Sequence, residues 1–554
     1  MTNSGAWAFS PKGRTPFRLA PPLPDIPSAY PPLVSRILRR RGVPESAAPR
    51  WLKPTLSDLT PVRRWPDAHE ACRRLAGALS EGIRIHIHGD YDADGVTSVG
   101  ILTAALRRAG GAVTYSIPNR FRDGYGLSPS VVRGAAQRGA KMLVASDCGT
   151  NDFAAQEAAL KEGLDLLILD HHVPNNVQAV KGRLVNPHLP GCPEALKPLT
   201  SAGIAFEAAL GLGDFTGKRE NAVSLARLAC IGIAQDVAPL IGDNRLIVKL
   251  GMEHLPATKN LFLKGLLESS GSDGGALRSY HLYYRLGPRL NAPGRMEDAT
   301  FLVDLLLEAR ADEVIRGLEK LEELNRERQA LQEKIVEAAL AMADPEAPCI
   351  VAAGEGWHLG VVGRAAGTLA ARFNRPAFVF SLQEAQARGS GRSVPGVSLM
   401  EALQPVADSF TSFGGHAAAC GITVARERWE VARAAILEAF SRLSPPEEPG
   451  MEAEEEIRFS DLDGETCDLL EAMEPFGPGN PRPVFVTRGV EILGEPAPIR
   501  RYGFRFLLRQ GDRILPATLF GTDRLPDLPR PFCPIFGVSR YRSTDQLDLE
   551  GYLP

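Results

Sequence analysis

The chain has no Cys-x-x-Cys pair in its 554 residues. Its eight cysteines, Cys72, Cys148, Cys192, Cys230, Cys349, Cys420, Cys467 and Cys533, are scattered. That spacing argues against a zinc ribbon and against a disulfide framework. Reduced thiols in a cytoplasmic protein are the expectation. Long apolar runs are also missing, and none approaches the roughly 20 residues that span a bilayer. The N-terminus, Met-Thr-Asn-Ser-Gly-Ala-Trp, lacks a basic stretch followed by an apolar one, so no signal peptide is expected. Charge of one sign is scarce: 63 Lys and Arg face 66 Asp and Glu, a net of −3. Any nucleic-acid contact must therefore use local basic patches. What is present, 44% apolar and 23% charged residues, is ordinary for a globular protein. The length exceeds one core and suggests about three or four domains.

Residues 1–66 form a proline-rich segment, with a short helix expected over 33–41. From there to 298 strand and helix patterns alternate. Strands are expected at 83–88, 113–117, 142–146 and 166–169, with helices such as 99–108 and 153–161 between them. This alternation predicts a parallel sheet covered by helices on both faces. Over 299–343, Leu302, Leu305, Leu306, Val314, Leu318, Leu321, Leu324 and Leu331 recur at helical steps and predict one long connecting helix. A second α/β unit is expected over 344–446, with strands at 349–353 and 377–381 and a helix at 361–372. After a Pro- and Glu-rich linker, short strands and turns in 447–554 suggest a small β-barrel.

The chemistry concentrates at strand ends. His88-Gly-Asp90-Tyr-Asp92-Ala-Asp94 follows the alternating Ile83-Arg-Ile-His-Ile87. Crowded carboxylates repel one another unless a cation lies among them. Asp147 ends the apolar Leu143-Val-Ala-Ser, and Asp170-His171-His172 ends Leu166-Leu-Ile-Leu. Asp236 ends the apolar Cys230-Ile-Gly-Ile-Ala-Gln. One aspartate after a strand is commonly a helix cap. Several on adjacent strands of one parallel sheet read together as a metal centre. Mixed His and carboxylate donors suit Mn2+, and Mg2+ less specifically. The number of donors fits two ions, which suits phosphate-ester hydrolysis.

Asp170-His171-His172 with His88-x-x-x-Asp92-x-Asp94 resembles the DHH phosphoesterase family. The forms HGDYDADGVTS, SDCGT and LDHHVP are similar to those of its single-strand-specific 5′ exonucleases. The resemblance implies a fold of a parallel-sheet DHH domain, a long helix, an α/β DHHA1 domain and a C-terminal OB-like barrel. It implies two-metal degradation of single-stranded DNA from the 5′ end to mononucleotides, in recombination and repair. His88, Asp92 and Asp147 would hold one ion. Asp94, Asp147, His171 and Asp236 would hold the other. Asp90 and Asp170 would stand behind the ligands, and His172 would join Asp92, Asp94, Asp147 and His171 in catalysis. Single-strand-binding protein and a RecQ-type helicase are partners expected from the family, and a monomer is expected. A DHH enzyme acting on pyrophosphate, cyclic dinucleotides or short RNA is the alternative, and a non-catalytic replication or repair scaffold a more remote one.

Three glycine-rich turns in the second α/β unit resemble the DHHA1 domain, which binds the nucleic-acid backbone or its terminal phosphate. These are Gly356–Arg364, Gly389-Ser390-Gly391-Arg392 and Gly414-Gly415-His416. A planar guanidinium suits phosphate, so Arg392 with Ser390, Arg295 and Arg120 are the candidate phosphate contacts. In the barrel, Arg501, Tyr502, Phe504 and Arg505 alternate basic and aromatic groups. They are candidates for base stacking with phosphate contact, or equally for a half-buried strand.

Overall fold

The structure is a computed structural model that describes residues 7–10, 13–273, 276–308, 310–443, 450–499, 502–541 and 544–554. It divides into two compact units. The first comprises Met1–Asn291, Asp298–Glu319 and Gly450–Pro554; the second comprises Ala292–Glu297 and Lys320–Pro449.

The first unit holds a five-stranded sheet, all parallel. Its order is Val113–Ser116, Ile85–His88, Met142–Ser146, Asp165–Leu169, Arg183–Val185. The central strands are buried along their length: Met142–Ser146 as its apolar run requires, and Ile85–His88 with its alternating His86 hydrogen-bonded to Thr114 and Ser116. Because the strands are parallel, their carboxyl ends share one edge. Ligands in open α/β sheets bind at that edge, and all the His/Asp motifs project from it.

The same unit contains the C-terminal barrel. Strands Glu491–Ile499, Gly503–Gln510 and Arg513–Phe520 run antiparallel in sequence, and Thr544–Leu553 pairs with both Arg513–Phe520 and Cys533–Tyr541. A tight hairpin at 510–513 joins the second and third of these strands, and Gly511 in it takes a φ of 57°.

The proline-rich N-terminal segment is not a separate element. Trp7–Ser10 pairs with the last strand through Phe9 and Tyr552, and Gly13–Leu19 pairs back onto it. The helix Pro32–Arg40 buries Leu33, Val34, Ile37 and Leu38 in one core with Phe459, Phe485, Phe506 and Phe536. Its apolar residues fall on one face, and the barrel is the surface that buries that face.

The single helix expected over 299–343 is two helices, Thr300–Glu308 and Ala311–Met342. The second starts afresh. Glu313 accepts a hydrogen bond from the Arg310 N–H at 2.9 Å, and Asp312 and Glu313 occupy the first turn. Acidic side chains there favour a helix N-terminus. Its 32 residues span about 48 Å.

The second unit is a mixed five-stranded sheet of order Ser412–Gly415, Ala419–Ala425, Gln386–Arg392, Ala377–Leu382, Ile350–Glu355. Helices Leu359–Phe373 and Trp429–Ser441 pack on it. Of the exposed acidic linker expected after Ser444, 444–449 lie outside the described residues, and 452–456 is not a linker: Met451–Ala453 pairs with Gly13–Leu19, Glu455–Glu456 pairs with Phe485–Val486, and Glu455 is buried in an ion pair with Arg40. Among the described residues no helix is long and apolar enough to cross a membrane.

Candidate metal centre

Each ligand-type residue sits where an element ends. Asp92 caps the helix Ala93–Arg108, its Oδ1 accepting the Asp94 and Gly95 N–H groups at 2.9 and 3.1 Å. That leaves Oδ2 for the cleft. Asp147 follows Met142–Ser146 with a φ of 63°, a left-handed value that costs a non-glycine residue about 1–3 kcal/mol. Its N–H donates to Leu169 O at 3.1 Å, so sheet pairing holds it in place. Asp170 continues the neighbouring strand, and its N–H donates to Val185 O at 3.1 Å. Asp236 ends the helix Ala226–Gln235, and Val237 behind it is also left-handed, at 58°.

These ends converge into two groups that share one residue. Donor atoms of Asp90, Asp92 and Asp147 lie within 4.8 Å of one another, as do those of Asp147, His171 and His172. His171 Nε2 is 3.4 Å from Asp147 Oδ1, and His171 Nδ1 is 3.9 Å from Asp236 Oδ2. Asp147 is thus the centre of the cluster, with Asp90 and Asp92 on one side and His171 leading to Asp236 on the other.

The electrostatics call for a cation. Asp90 is 3% exposed, and its Oδ1 is buried with no hydrogen-bond partner. An orphaned carboxylate oxygen is costly in a protein interior. Burial, then neighbouring carboxylates, push Asp90 and Asp147 well above the usual aspartate range. Asp236 is pushed up to about 7 by burial in the cleft and by the charge of Asp94, although a third of its side chain meets solvent. A divalent ion among these oxygens would replace the protons, and the residues present fit one.

Two expected ligands are already hydrogen-bonded to the protein. Asp94 is engaged at both oxygens: Oδ1 accepts Thr200 Oγ1 at 2.8 Å and the Ala202 N–H at 3.0 Å, and Oδ2 accepts the Ser201 N–H at 2.8 Å. It is the second residue of its own helix and caps another one, Ser201–Thr216. His88 Nε2 donates to Gly126 O at 3.4 Å, and Nδ1 lies 2.8 Å from Ser116 Oγ. Burial pushes His88 down to about 4, so the ring is neutral with both nitrogens occupied. The structure places Asp90, expected behind the ligands, in the cluster instead.

His172 is an ion-pair residue. Its Nδ1 is 2.7 Å from Asp170 Oδ1, and its Nε2 is 2.9 Å from Tyr125 Oη. Burial works against its charge, but the hydrogen bond and charge of Asp170 outweigh it and lift His172 to about 9. Burial likewise works against the Asp170 carboxylate, yet its bond to His172 holds it at about 2. Tyr125, which also reaches Asp147 O at 3.3 Å, is a site residue that sequence reasoning misses. A lone tyrosine between two glycines carries no signal of its own. Arg120 stacks over the Tyr91 ring at 5.1 Å, inside the first motif.

In the second unit the expected phosphate contacts gather at one end of the sheet. Arg392 Nη1 donates to Ser390 Oγ at 2.7 Å and to Gly391 O at 2.8 Å. A methyl group on Gly363, in the first turns of the helix Leu359–Phe373, would lie 2.9 Å from Arg392 Nη2 and 3.1 Å from Ser390 Oγ. A helix start, a hydroxyl and a guanidinium therefore meet, a combination suited to an anion. Ser390 pairs with Gly421, which pairs in turn with Gly414, and Gly415 and His416 lead into the exposed turn beyond. Arg295 enters through its backbone: a methyl on Gly360 would fall 1.9 Å from Arg295 O. The smallness of Gly360 therefore serves helix packing rather than anion approach.

In the barrel Tyr502 is 69% exposed and Arg505 is exposed, whereas Phe504 is half-buried. Arg501 lies outside the described residues.

The model of the DHH family N-terminal domain matches residues 84–233, that of the DHHA1 domain 346–442, and that of the RecJ OB domain 453–540. The chain is 34% identical to single-stranded-DNA-specific exonuclease RecJ of Bacillus subtilis over 82% of its own length and 58% of that protein's. It is 32% identical to the RecJ of Dickeya dadantii over 84% of each. The structure of RecJ from Thermus thermophilus with Mn2+ superposes with a TM-score of 0.80 at 28% identity, covering 96% of this chain and 78% of that one. The same protein with Mg2+ superposes with a TM-score of 0.75 at 26% identity, covering 97% and 78%. The chain belongs to the family of the single-stranded-DNA-specific exonuclease RecJ.

Proposed function

We propose that this protein is a divalent-metal-dependent exonuclease that degrades single-stranded DNA, working from the 5′ end and releasing mononucleotides during recombination and repair. The observation that carries this reading is the cluster centred on Asp147, with the unpartnered Asp90 Oδ1 inside it. Asp90, Asp92 and Asp147 would hold one ion, and Asp147, His171 and Asp236 the second. Mn2+ is the preferred ion and Mg2+ an alternative. When bound, two such ions neutralise charge on a phosphodiester and activate water.

The remaining roles fall to side chains. Asp94 fixes the helices Ala93–Arg108 and Ser201–Thr216 to each other, and so sets the position of Asp92. His172, oriented by Asp170 and Tyr125, would stand beside the ions and touch the scissile phosphate. Tyr125 holds the His172 ring and the Asp147 carbonyl. His88 buttresses the strand end through Ser116 and Gly126. Arg392 and Ser390 would bind the terminal phosphate. Exposed Tyr502 and Arg505 would contact the strand further along. Single-strand-binding protein and a RecQ-type helicase are the proposed partners. The test is Asp147→Ala, which should abolish hydrolysis of single-stranded DNA and leave its binding largely intact.

A further inference from the structure

A chain of amide hydrogen bonds links the two sides of the cluster. The Ala93 N–H, directly after Asp92, donates to Asn291 Oδ1 at 2.9 Å. Asn291 Nδ2 donates to Gln235 Oε1 at 3.0 Å, directly before Asp236. Gln235 Nε2 donates to Leu282 O at 3.0 Å and to Tyr283 O at 3.4 Å. Backbone groups fix both ends, because an N–H can only donate and a carbonyl can only accept. The two amides therefore have one possible orientation, and neither tolerates a carboxylate in its place.

The far end is built to receive Gln235. Leu282–Leu286 is a single π turn, in which Leu282 O takes its backbone bond from the Gly287 N–H. A methyl group on Gly287 would lie 1.8 Å from Gln235 Cδ, so only glycine leaves room for the amide. Single π turns recur at functional sites, and this one serves as the anchor of the chain.

We propose that Asn291 and Gln235 are positioning residues. They brace the loop carrying Asp92 against the helix end carrying Asp236, and the spacing they set governs affinity for the divalent ions. The proposal rests on the metal-centre reading. No bond in the chain touches an ion directly. Partners behind metal ligands typically change affinity about 10- to 100-fold.

The test is Mn2+ titration of the full chain by calorimetry, with the electron paramagnetic resonance spectrum of bound Mn2+ as second readout. Asn291→Ala and Gln235→Met, the latter close in volume and without charge, should each weaken Mn2+ binding about tenfold and alter the spectrum. Gly287→Ala should reproduce Gln235→Met by displacing the amide. The Asn291→Ala/Gln235→Met pair should be little worse than either alone, because the two act as one unit. Asp236→Ala is the control. If it loses Mn2+ while both amide variants bind like wild type with an unchanged spectrum, the brace is wrong and the metal centre stands. If Asp236→Ala itself binds Mn2+ like wild type, the metal-centre reading fails and the brace with it.

Discussion

Asp147 belongs to both donor groups and holds a strained backbone, so on the proposed reading it would carry more of the chemistry than any other side chain. Asp147→Ala should lower hydrolysis of single-stranded DNA on the order of a thousandfold or more, measured by single-turnover kinetics. DNA affinity should change little. The same residues make stability depend on pH and metal together. Burial lifts Asp236 from 3.8 to about 7, so in this pH range the metal-free folded protein binds a proton that the unfolded chain has lost. Without metal, stability should therefore fall as pH rises from about 4 towards 7. A divalent ion takes the proton's place. The gain in melting temperature from Mn2+ over EDTA should widen between about pH 5.5 and about pH 8; a constant gain would show that these carboxylates do not exchange protons for metal. In the second unit, Arg392→Ala should cut the preference for a 5′-phosphorylated end about 10- to 100-fold, the worth of a charge-assisted phosphate contact. Equal loss on phosphorylated and unphosphorylated ends would remove Arg392 from that role.

At the scale of elements, the sheet and its edge are legible in the sequence because parallel strands are uniformly apolar and end abruptly in polar residues. Met142–Ser146 and the apolar run of Asp165–Leu169 follow that rule, whereas Ile85–His88 alternates Ile and His; the ends of all three deliver Asp90, Asp147 and Asp170 to one place. Which carboxylate of the first motif faces the cleft is not legible. Asp90, Asp92 and Asp94 are equally spaced, and only the helix start at Ala93 turns Asp94 towards Thr200, Ser201 and Ala202. Asn291 is invisible as a partner of the site because almost two hundred residues separate it from Ala93. The N-terminal strands leave no clear pattern because they are short and interrupted, and their pairing partners lie at the opposite end of the chain. That pairing has a consequence. Ile37→Ala should cost about 2–5 kcal/mol and loosen the barrel as much as Leu508→Ala, measured by chemical denaturation with hydrogen exchange on the barrel strands. A protected barrel in Ile37→Ala would mean that the helix is only an appendage.

For the whole molecule, the proposed function puts chemistry and substrate choice on different parts of the chain. The Asp147 cluster would account for cleaving a phosphodiester and says nothing about strandedness or polarity. Those properties are assigned to Ser390 and Arg392 in the second unit and to the exposed face of the barrel. The most direct test of the account is digestion of a long single strand, labelled at either its 5′ or its 3′ end, with Mn2+, Mg2+ or EDTA. The account predicts immediate release of labelled mononucleotide from the 5′-labelled strand with Mn2+, more slowly with Mg2+, and none with EDTA. The 3′ label should stay on progressively shorter strands. Mononucleotide released first from the 3′ end, or undiminished cleavage in EDTA, would contradict it.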